Sequence, residues 1–331
     1  MTEALPATAE VIEREPESFA NVERNFAKVD GLIVPLERGN RRAGYELHYP
    51  GPDQFNSDGL NFTFRIYQQL GVWDESVLLV VLKLIGQRGV ILDPNPAGPN
   101  SRQVRDDLNE GGDALAQKTL LLRDTSYSEI LRHMALNPVG RSRRLLRESL
   151  QRFSAITLWV KDRIGNEGNS NLMVARASSN GDLRISVHYL LARSFLSETL
   201  WARVDLSERW RLSGDTAKIL HRWLSAWLDV GETQPAKLST LERHVWGDVS
   251  TGMDRAKRFY LLRQALREID ALGSGWRVSG VDQRGDAVCS ITRRPRSTLG
   301  ERAENRPALT TLSVESEFVA GDSKLAIEVP V

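Results

Sequence analysis

A chain of 331 residues is long enough for two ordinary domains, and its 41% apolar and 26% charged residues are typical of a soluble globular protein. The formal net charge is only +1, so nucleic-acid binding would require local clusters of Lys and Arg. A single cysteine, Cys289, excludes an internal disulfide and a Cys-rich zinc site. No signal peptide opens the chain, and no apolar run approaches the ~20 residues of a membrane span. We therefore expect a cytoplasmic protein without a membrane partner.

The two ends of the chain differ from its middle. Residues 2–25 are rich in glutamate, contain Pro6 and Pro16 and have few large apolar side chains, so they are predicted to form a mobile acidic arm. This arm and its lead-in span residues 1–55. At the other end, residues 299–331 form a tail that is polar at first but retains some strand-like alternation.

Between these ends, two stretches repeat one pattern of helices. A first helix is predicted over residues 75–85, with Asp74 as its N-cap, and another over residues 215–228, where Ile219, Leu220, Trp223 and Trp227 share an apolar face. Aromatic residues four apart on such a face belong to a core more often than to a base-stacking platform.

Each first helix is followed by two further helices. Capping boxes at Ser126–Glu129 and Ser239–Glu242 predict where the next helix of each copy starts. The helix after it carries the motif Leu-Leu-Arg-x-small-Leu, at residues 145–150 and 261–266. Apolar residues fall at helical spacing in both motifs, so the two stretches are predicted to be copies of one unit.

A predicted β-hairpin closes each copy. In the first copy, its strands are residues 155–160 and 172–175; in the second copy, they are residues 276–281 and 287–292, where Cys289 is a core residue. Helices followed by a hairpin are the order of a winged-helix domain. The predicted fold class is therefore α+β, with winged-helix domains in tandem at residues 56–200 and 201–298.

Basic side chains concentrate on the same parts of both copies. Residues 140–163 and 251–296 each contain many more Lys and Arg than Asp and Glu, and they cover the last helix and the hairpin of each unit. An α-helix fits the major groove of DNA, and the hairpin, or wing, can reach phosphates. This coincidence predicts binding to double-stranded DNA and argues against a winged-helix module that binds only proteins.

Helical phase indicates which of these side chains face DNA. In the second unit, Phe259, Leu262, Leu266 and Ile269 form the predicted buried stripe, which leaves Arg255 and Arg258 as the predicted base readers. In the first unit, Leu146, Leu150 and Phe153 are predicted to face inward, with Arg141, Arg144 and Arg147 opposite them. The complete predicted DNA-binding set is Arg141, Arg143, Arg144, Arg147, Lys161, Arg163, Arg255, Lys257, Arg258, Tyr260, Arg263, Arg284, Arg293 and Arg294.

Patterns for catalysis are missing. No Gly-Lys pair occurs, which argues against a P-loop. Nicking enzymes of plasmid origins need a His-hydrophobic-His metal pair, and all five histidines are isolated. We predict no enzymatic activity, no metal and no cofactor, although sequence spacing alone does not exclude a metal-dependent nuclease.

Residues 204–295 resemble replication protein C of IncQ-type plasmids, an iteron-binding initiator. Three segments carry this resemblance: residues 215–229; residues 238–241 with Val245 and Trp246; and residues 263–267 with Trp276 and residues 291–295. Residues 74–194 are similar more weakly, through Ser126–Glu129, residues 150–156 and residues 180–184. Phe259 and Tyr260 depart from the expected basic run, and neither end of the chain has a counterpart.

The resemblance implies a function without catalysis. A member of this family binds direct repeats, called iterons, at a plasmid origin, deforms or opens the adjacent duplex and helps to recruit a replicative helicase. It also implies a homodimer as one form of the protein. The alternative is a winged-helix transcriptional repressor or other DNA-binding regulator, which would use the same helices without an initiation role.

Overall fold

The computed structural model describes residues 18–295, apart from 37–39, 96–98, 113, 115–116, 179–180, 197–200 and 274. The acidic stretch before residue 18 and the predicted tail at 299–331 lie outside the described residues. In the described part of the chain, no helix is long and apolar enough to cross a membrane, and no group of three or more His, Cys, Asp or Glu side chains is placed to hold a metal ion.

The first half of the chain is built around one buried helix, α1 (Val72–Arg88). Residues 77–82 are buried on every side, which explains their continuous apolar sequence. The helix begins before Asp74, so the predicted N-cap position is wrong. Asp74 lies in the first turn instead, where its Oδ2 accepts a hydrogen bond from the Gly71 N–H at 2.9 Å.

The first half also contains two antiparallel sheets, of which the one with β6 contacts α1. One has the order β2-β3-β7-β8-β5 and the other β4-β6-β10-β9. The strands of the first are β2 (Ala43–Tyr49), β3 (Leu60–Gln68), β5 (Gly111–Gly112), β7 (Thr157–Asp162) and β8 (Glu167–Asn171). Those of the second are β4 (Val90–Leu92), β6 (Thr119–Ser126), β9 (Met173–Ala177) and β10 (Asp182–Val187). A further helix, α2 (Pro99–Asp107), lies between β4 and β5.

The two predicted helices of the first copy are present as α3 (Tyr127–His133) and α4 (Gly140–Ser154). Ser126 is the N-cap of α3, and its Oγ accepts from the Glu129 N–H at 3.2 Å. The second half of the predicted capping box is absent, because the Glu129 carboxylate accepts from Arg88 and Thr125 instead.

The predicted hairpin of the first copy has the wrong second strand. The partner of β7 is β8, from Lys161↔Glu167 to Thr157↔Asn171. Residues 172–175 mostly belong to β9, which pairs with β10 in the other sheet. The apolar alternation of residues 172–175 shows a strand but not its partner, because pairing depends on non-local contacts.

The second half contains α6 (Leu206–Arg211), α7 (Asp215–Trp227), β12 (Thr233–Lys237), α8 (Leu238–Trp246), α9 (Gly252–Ala271), β13 (Trp276–Ser279) and β14 (Val288–Arg293). The last two strands pair as predicted, and β12 completes a sheet with the order β12-β14-β13. Cys289 is buried within it. On α7, the apolar face is also confirmed: Trp223 is buried and stacks on Trp227, with ring centroids 4.9 Å apart.

The predicted capping box of α8 is wrong. The helix begins at Leu238, and its N-cap is Lys237. Ser239 instead donates from Oγ to Asp286 Oδ2 at 2.7 Å, and its N–H donates to Asp286 Oδ1 at 2.8 Å. A serine-to-glutamate spacing does not reveal that an aspartate 47 residues away competes for the serine.

The predicted mobile arm is wrong for its last residues. Strand β1 (Phe19–Glu23) pairs with β11 (Trp201–Asp205) along its full length, and Ala20 and Val22 are completely buried. Beyond β1, Arg24 Nε donates to the Ala226 carbonyl at 2.8 Å. Helix α5 (Tyr189–Leu196) lies between β10 and β11. Pairing with a strand about 180 positions away supplies the apolar contacts that residues 19–23 lack locally.

A buried ion network connects the two halves. Glu75 of α1 accepts from Arg209 Nη2 of α6 at 2.6 Å and from Arg222 Nε of α7. Arg222 also donates to the Ala27 carbonyl. All three charged side chains are almost completely excluded from solvent. One cluster of buried apolar residues also runs through both halves, and the division at residue 200 stays a prediction.

Glu23, at the end of β1, makes the stability of the folded protein depend on pH. Burial raises the pKa of its carboxyl to about 7, although the Phe26 N–H donates to it. Because the folded-state pKa is above the unfolded value, the contribution of Glu23 to stability is fully present below about pH 4.5, where the carboxyl is protonated in both states. This contribution is lost as the pH rises through 7 and the carboxyl ionises. We expect the free energy of unfolding of Glu23→Gln to equal that of wild type at pH 4.5. At pH 8, we expect it to be larger than that of wild type by about 1–3 kcal/mol.

Denaturant titrations of both proteins across this pH range measure that difference, and other titrating groups cancel in the comparison. A constant difference between pH 4.5 and 8 would show that Glu23 ionises normally in the folded protein.

Candidate nucleic-acid interface

The surface of α4 is basic on the side opposite the core. Leu146, Leu150 and Phe153 are buried as predicted. Arg141, Arg144 and Arg147 face away from them and are exposed, and Arg143, towards α3, is exposed as well. Arg152, which contributes to the basic excess in the sequence, is buried and donates to Asp74 Oδ1 at 2.7 Å. Four arginines therefore form the cationic face of α4.

Weak interactions leave these arginines available to a ligand. Arg144 Nε is 3.6 Å from Glu148 Oε1, in a pair that is exposed on both sides. Arg143 donates to Ser128 Oγ at 3.0 Å, and the Arg147 guanidinium lies 5.7 Å from the Tyr127 ring centre. Exposed pairs of this kind contribute ~0–1 kcal/mol and are readily exchanged for phosphate.

The β7–β8 hairpin stands where the first wing was predicted, and it carries two of the predicted contacts, Lys161 and Arg163. Lys161 Nζ is 3.1 Å from Glu167 Oε1 across the hairpin, and both side chains are half exposed. The aliphatic stem of Arg163 lies against Gly59, so close that a Cβ at position 59 would be in van der Waals contact with it. Arg163 Nη2 lies 3.4 Å from the Asn56 carbonyl oxygen. The tip of the hairpin thus carries two cations and the carboxylates of Asp162 and Glu167, and Arg163 holds it to the neighbouring β2–β3 connection.

Helix α9 buries Phe259, Leu262, Leu266 and Ile269 as predicted. Arg258 does not point outward, however. Its Nη1 is 2.6 Å from Asp248 Oδ1, and its side chain is only 23% exposed. Arg255 is also constrained, because its Nη2 is 3.7 Å from Asp286 Oδ2 and its guanidinium lies over the Phe259 ring. The outward orientation predicted for Arg258 is therefore corrected.

The outer face of α9 combines two predicted contacts, Lys257 and Tyr260, with two residues outside the prediction, Gln264 and Arg267. Lys257 and Gln264 are exposed, and Tyr260 is 57% exposed. Gln264 Nε2 donates to Tyr260 Oη at 2.8 Å. One turn further, Arg267 Nη2 is 2.5 Å from Asp282 Oδ1 in an exposed pair. Gln264 and Arg267 are absent from the predicted site, although their helical phase relative to Leu262 and Leu266 was sufficient to find them.

The second wing is the β13–β14 hairpin, and Arg263 shapes it from inside. Arg263 Nε donates to the Val281 carbonyl at 3.1 Å, and Nη2 donates to the carbonyls of Gln283 and Gly285 at 3.0 and 2.8 Å. Arg284, at the tip, is exposed. Arg263 was predicted as a DNA contact, but in this structure its guanidinium holds the wing turn.

The two arginines at the end of β14 have different environments. Arg293 Nη1 donates to the carbonyls of Ser225 and Leu228 at 2.8 and 2.9 Å, and burial lowers the pKa of its guanidinium. Arg294 is exposed. Both lie at the end of β14 farthest from the wing tip, so the structure does not place them beside Arg284.

Comparisons with known proteins give one family. The family model described as Replication protein C (RepC) matches residues 18–290. Two crystal structures of domains 2 and 3 of RctB are similar, both at 13% sequence identity. One, of selenomethionine derivatives, has a TM-score of 0.47 and covers 82% of this chain and 99% of its own. The other has a TM-score of 0.45 and covers 82% and 97%. No curated protein sequence matches.

Proposed function

Because the chain belongs to the replication protein C (RepC) family, we propose that it initiates plasmid replication by binding direct repeats in double-stranded DNA at the origin. The observation that carries this proposal is the cationic face of α4, where Arg141, Arg143, Arg144 and Arg147 are exposed. Helix α9 and the hairpin after it follow in the same order in the second half, with a more mixed outer face of Lys257, Tyr260, Gln264 and Arg267. Neither helix needs a cofactor or a reacting group for this role.

The order of elements supports tandem winged-helix domains. In the second half, α7, β12, α8 and α9 precede the β13–β14 hairpin, and the three strands form one sheet. In the first half, α1, α3 and α4 precede the β7–β8 hairpin. The last helix of such a domain enters the major groove, so we assign that role to α4 and α9.

The proposed mechanism is binding without covalent chemistry. Arginines of α4 and residues of α9 contact base edges and phosphates, and the two wings contact the flanking backbone. Interactions that form only on deformed DNA can offset a bending cost of about 1–6 kcal/mol, so binding itself can prepare the adjacent duplex for opening. A replicative helicase and a second copy of the chain are the partners we propose for the later steps.

Binding measurements test the DNA-recognition step. The full chain is given a random-sequence duplex library, and the enriched duplex is compared with a scrambled one between about 50 and 200 mM salt. We expect a preference of at least ~10³ for the enriched duplex. The variant Arg141→Ala/Arg144→Ala/Arg147→Ala should bind both duplexes more weakly and reduce the slope of log affinity against log salt by about 3, since each lost phosphate contact removes ~0.9.

Arg65→Ala is the matched control. Arg65 is an exposed arginine on β3 that pairs with Glu46 at 2.8 Å, and it lies outside both helices. An unchanged salt slope in the α4 triple variant would remove α4 from the interface. A plasmid that has the origin but lacks this gene should replicate only when the gene is supplied elsewhere; replication without it would favour the regulator instead.

A further inference from the structure

The first wing carries an apolar side chain at its tip. Ile164 is 84% exposed. It lies in the turn between β7 and β8, next to Arg163 and three residues from Lys161. A large apolar side chain this exposed favours a contact that removes it from water. The neighbouring cations can contact phosphate, since Lys161 is in an exposed pair with Glu167 and the Asp162 carboxylate is occupied by N–H groups of the turn.

The turn holds Ile164 in a fixed position. Asp162 Oδ1 accepts from the N–H groups of Ile164 and Asn166 at 3.0 and 2.9 Å, and Asp162 Oδ2 accepts from Asn166 Nδ2 at 2.8 Å. Gly165 has φ +93°, which a glycine adopts without strain. Isoleucine is itself restricted at χ1. Little conformational entropy is therefore lost when this tip enters a confined site.

The second wing shows that an apolar tip is not a general feature of the two hairpins. Its turn consists of Asp282, Gln283, Arg284 and Gly285 and contains no apolar side chain. Arg263 holds that turn through its carbonyls. The second wing presents Arg284 and no apolar side chain at its tip, whereas the first presents a rigid apolar side chain next to Arg163.

We propose that Ile164 is a DNA-deforming wedge, which enters the minor groove and partly unstacks one base step while Lys161 and Arg163 bind the flanking phosphates. This inference rests on the proposed function. Apolar side chains that enter the minor groove in this way kink duplexes toward the major groove. The step contacted should be a pyrimidine–purine step, since TA and CA/TG steps unstack most easily. The wedge would localise the deformation that precedes opening.

The test uses the full chain and its library-enriched duplex. Permanganate reactivity and 2-aminopurine fluorescence report unstacking along the site. Wild type should produce one reactive step, and Ile164→Ser should reduce that signal at least ~10-fold while affinity falls by no more than ~30-fold, as expected for one lost apolar contact. A mismatch at this step should tighten wild-type binding and leave the affinity of Ile164→Ser unchanged, because the mismatch lowers the unstacking cost that only the wedge incurs.

Val230→Ser is the matched control. Val230 is 60% exposed and lies beside Gly231, whose N–H donates to the Arg293 carbonyl at the end of β14 away from the second wing. We expect this variant to unstack DNA like wild type. If Ile164→Ser binds and unstacks DNA as wild type does, the wedge is overturned and DNA recognition stands. If the library yields no enriched sequence, the proposed function fails and the wedge fails with it.

Discussion

Replacing Glu75 with glutamine should lower the free energy of unfolding by about 3–5 kcal/mol, the largest stability effect that we expect of any single substitution in this chain. Glu75 is the carboxylate that balances both Arg209 and Arg222 at the junction of α1, α6 and α7. Glutamine has nearly the same shape but no charge. Two guanidinium groups that are buried away from bulk solvent would then share a neutral partner.

Denaturant unfolding measures this effect, with Glu148→Gln as the control. Glu148 also pairs with an arginine, Arg144, but both side chains are exposed, so this change should cost less than about 1 kcal/mol. The network also connects helices of both halves. Glu75→Gln should therefore weaken binding to the enriched duplex even in the fraction that remains folded. A loss of stability below about 1 kcal/mol would show that the network is solvated or dispensable.

The second large effect concerns base recognition by α9. Gln264→Ala should relax specificity at one A·T base pair by about 1–3 kcal/mol, which is roughly 5- to 150-fold, because a glutamine amide pairs bidentately with adenine N6 and N7. The expectation follows from the outer face of α9, where Gln264 is held by Tyr260. Affinity for scrambled duplex should hardly change, since this contact carries no phosphate charge.

Arg258→Ala provides the contrasting result. Arg258 neutralises Asp248 and lies 3.5 Å from the buried Glu242, so its loss should destabilise the α8–α9 connection without altering which base is preferred. Competition binding against duplexes with all four base pairs at each position separates the two outcomes. If Arg258→Ala changes base preference and Gln264→Ala does not, then α9 reads DNA through the face that the sequence first indicated.

Parts of this interface were predictable because they depend on neighbours in the chain. The buried stripe of α4 follows from apolar residues such as Leu146 and Leu150, four positions apart on one face. The same regularity gives the exposed positions of Arg141 and Arg144, and the Asp282–Gly285 turn predicts the β13–β14 hairpin. In each case the deciding contact lies within about one turn of helix or one hairpin.

Other features required contacts that no local pattern contains. Residues 19–23 form strand β1 because they pair with β11. The partner of β7 in the first wing is β8 and not β9, and β7 pairs on its other side with β3. Arginines are the clearest example. Arg152 and Arg258 resemble surface cations in the sequence, yet each lies close to a buried carboxylate, Asp74 and Glu242 respectively.

The sequence by itself determined the helices of the two predicted copies (α1, α3, α4, α7, α8 and α9), their buried stripes, the second hairpin and the family, because short-range periodicity and motif residues are local properties. The tertiary structure decided which strands pair, which arginines remain free of buried carboxylates and how Glu75 joins the two halves. Those outcomes depend on groups brought together from distant positions, where burial and ion pairing outweigh local preference.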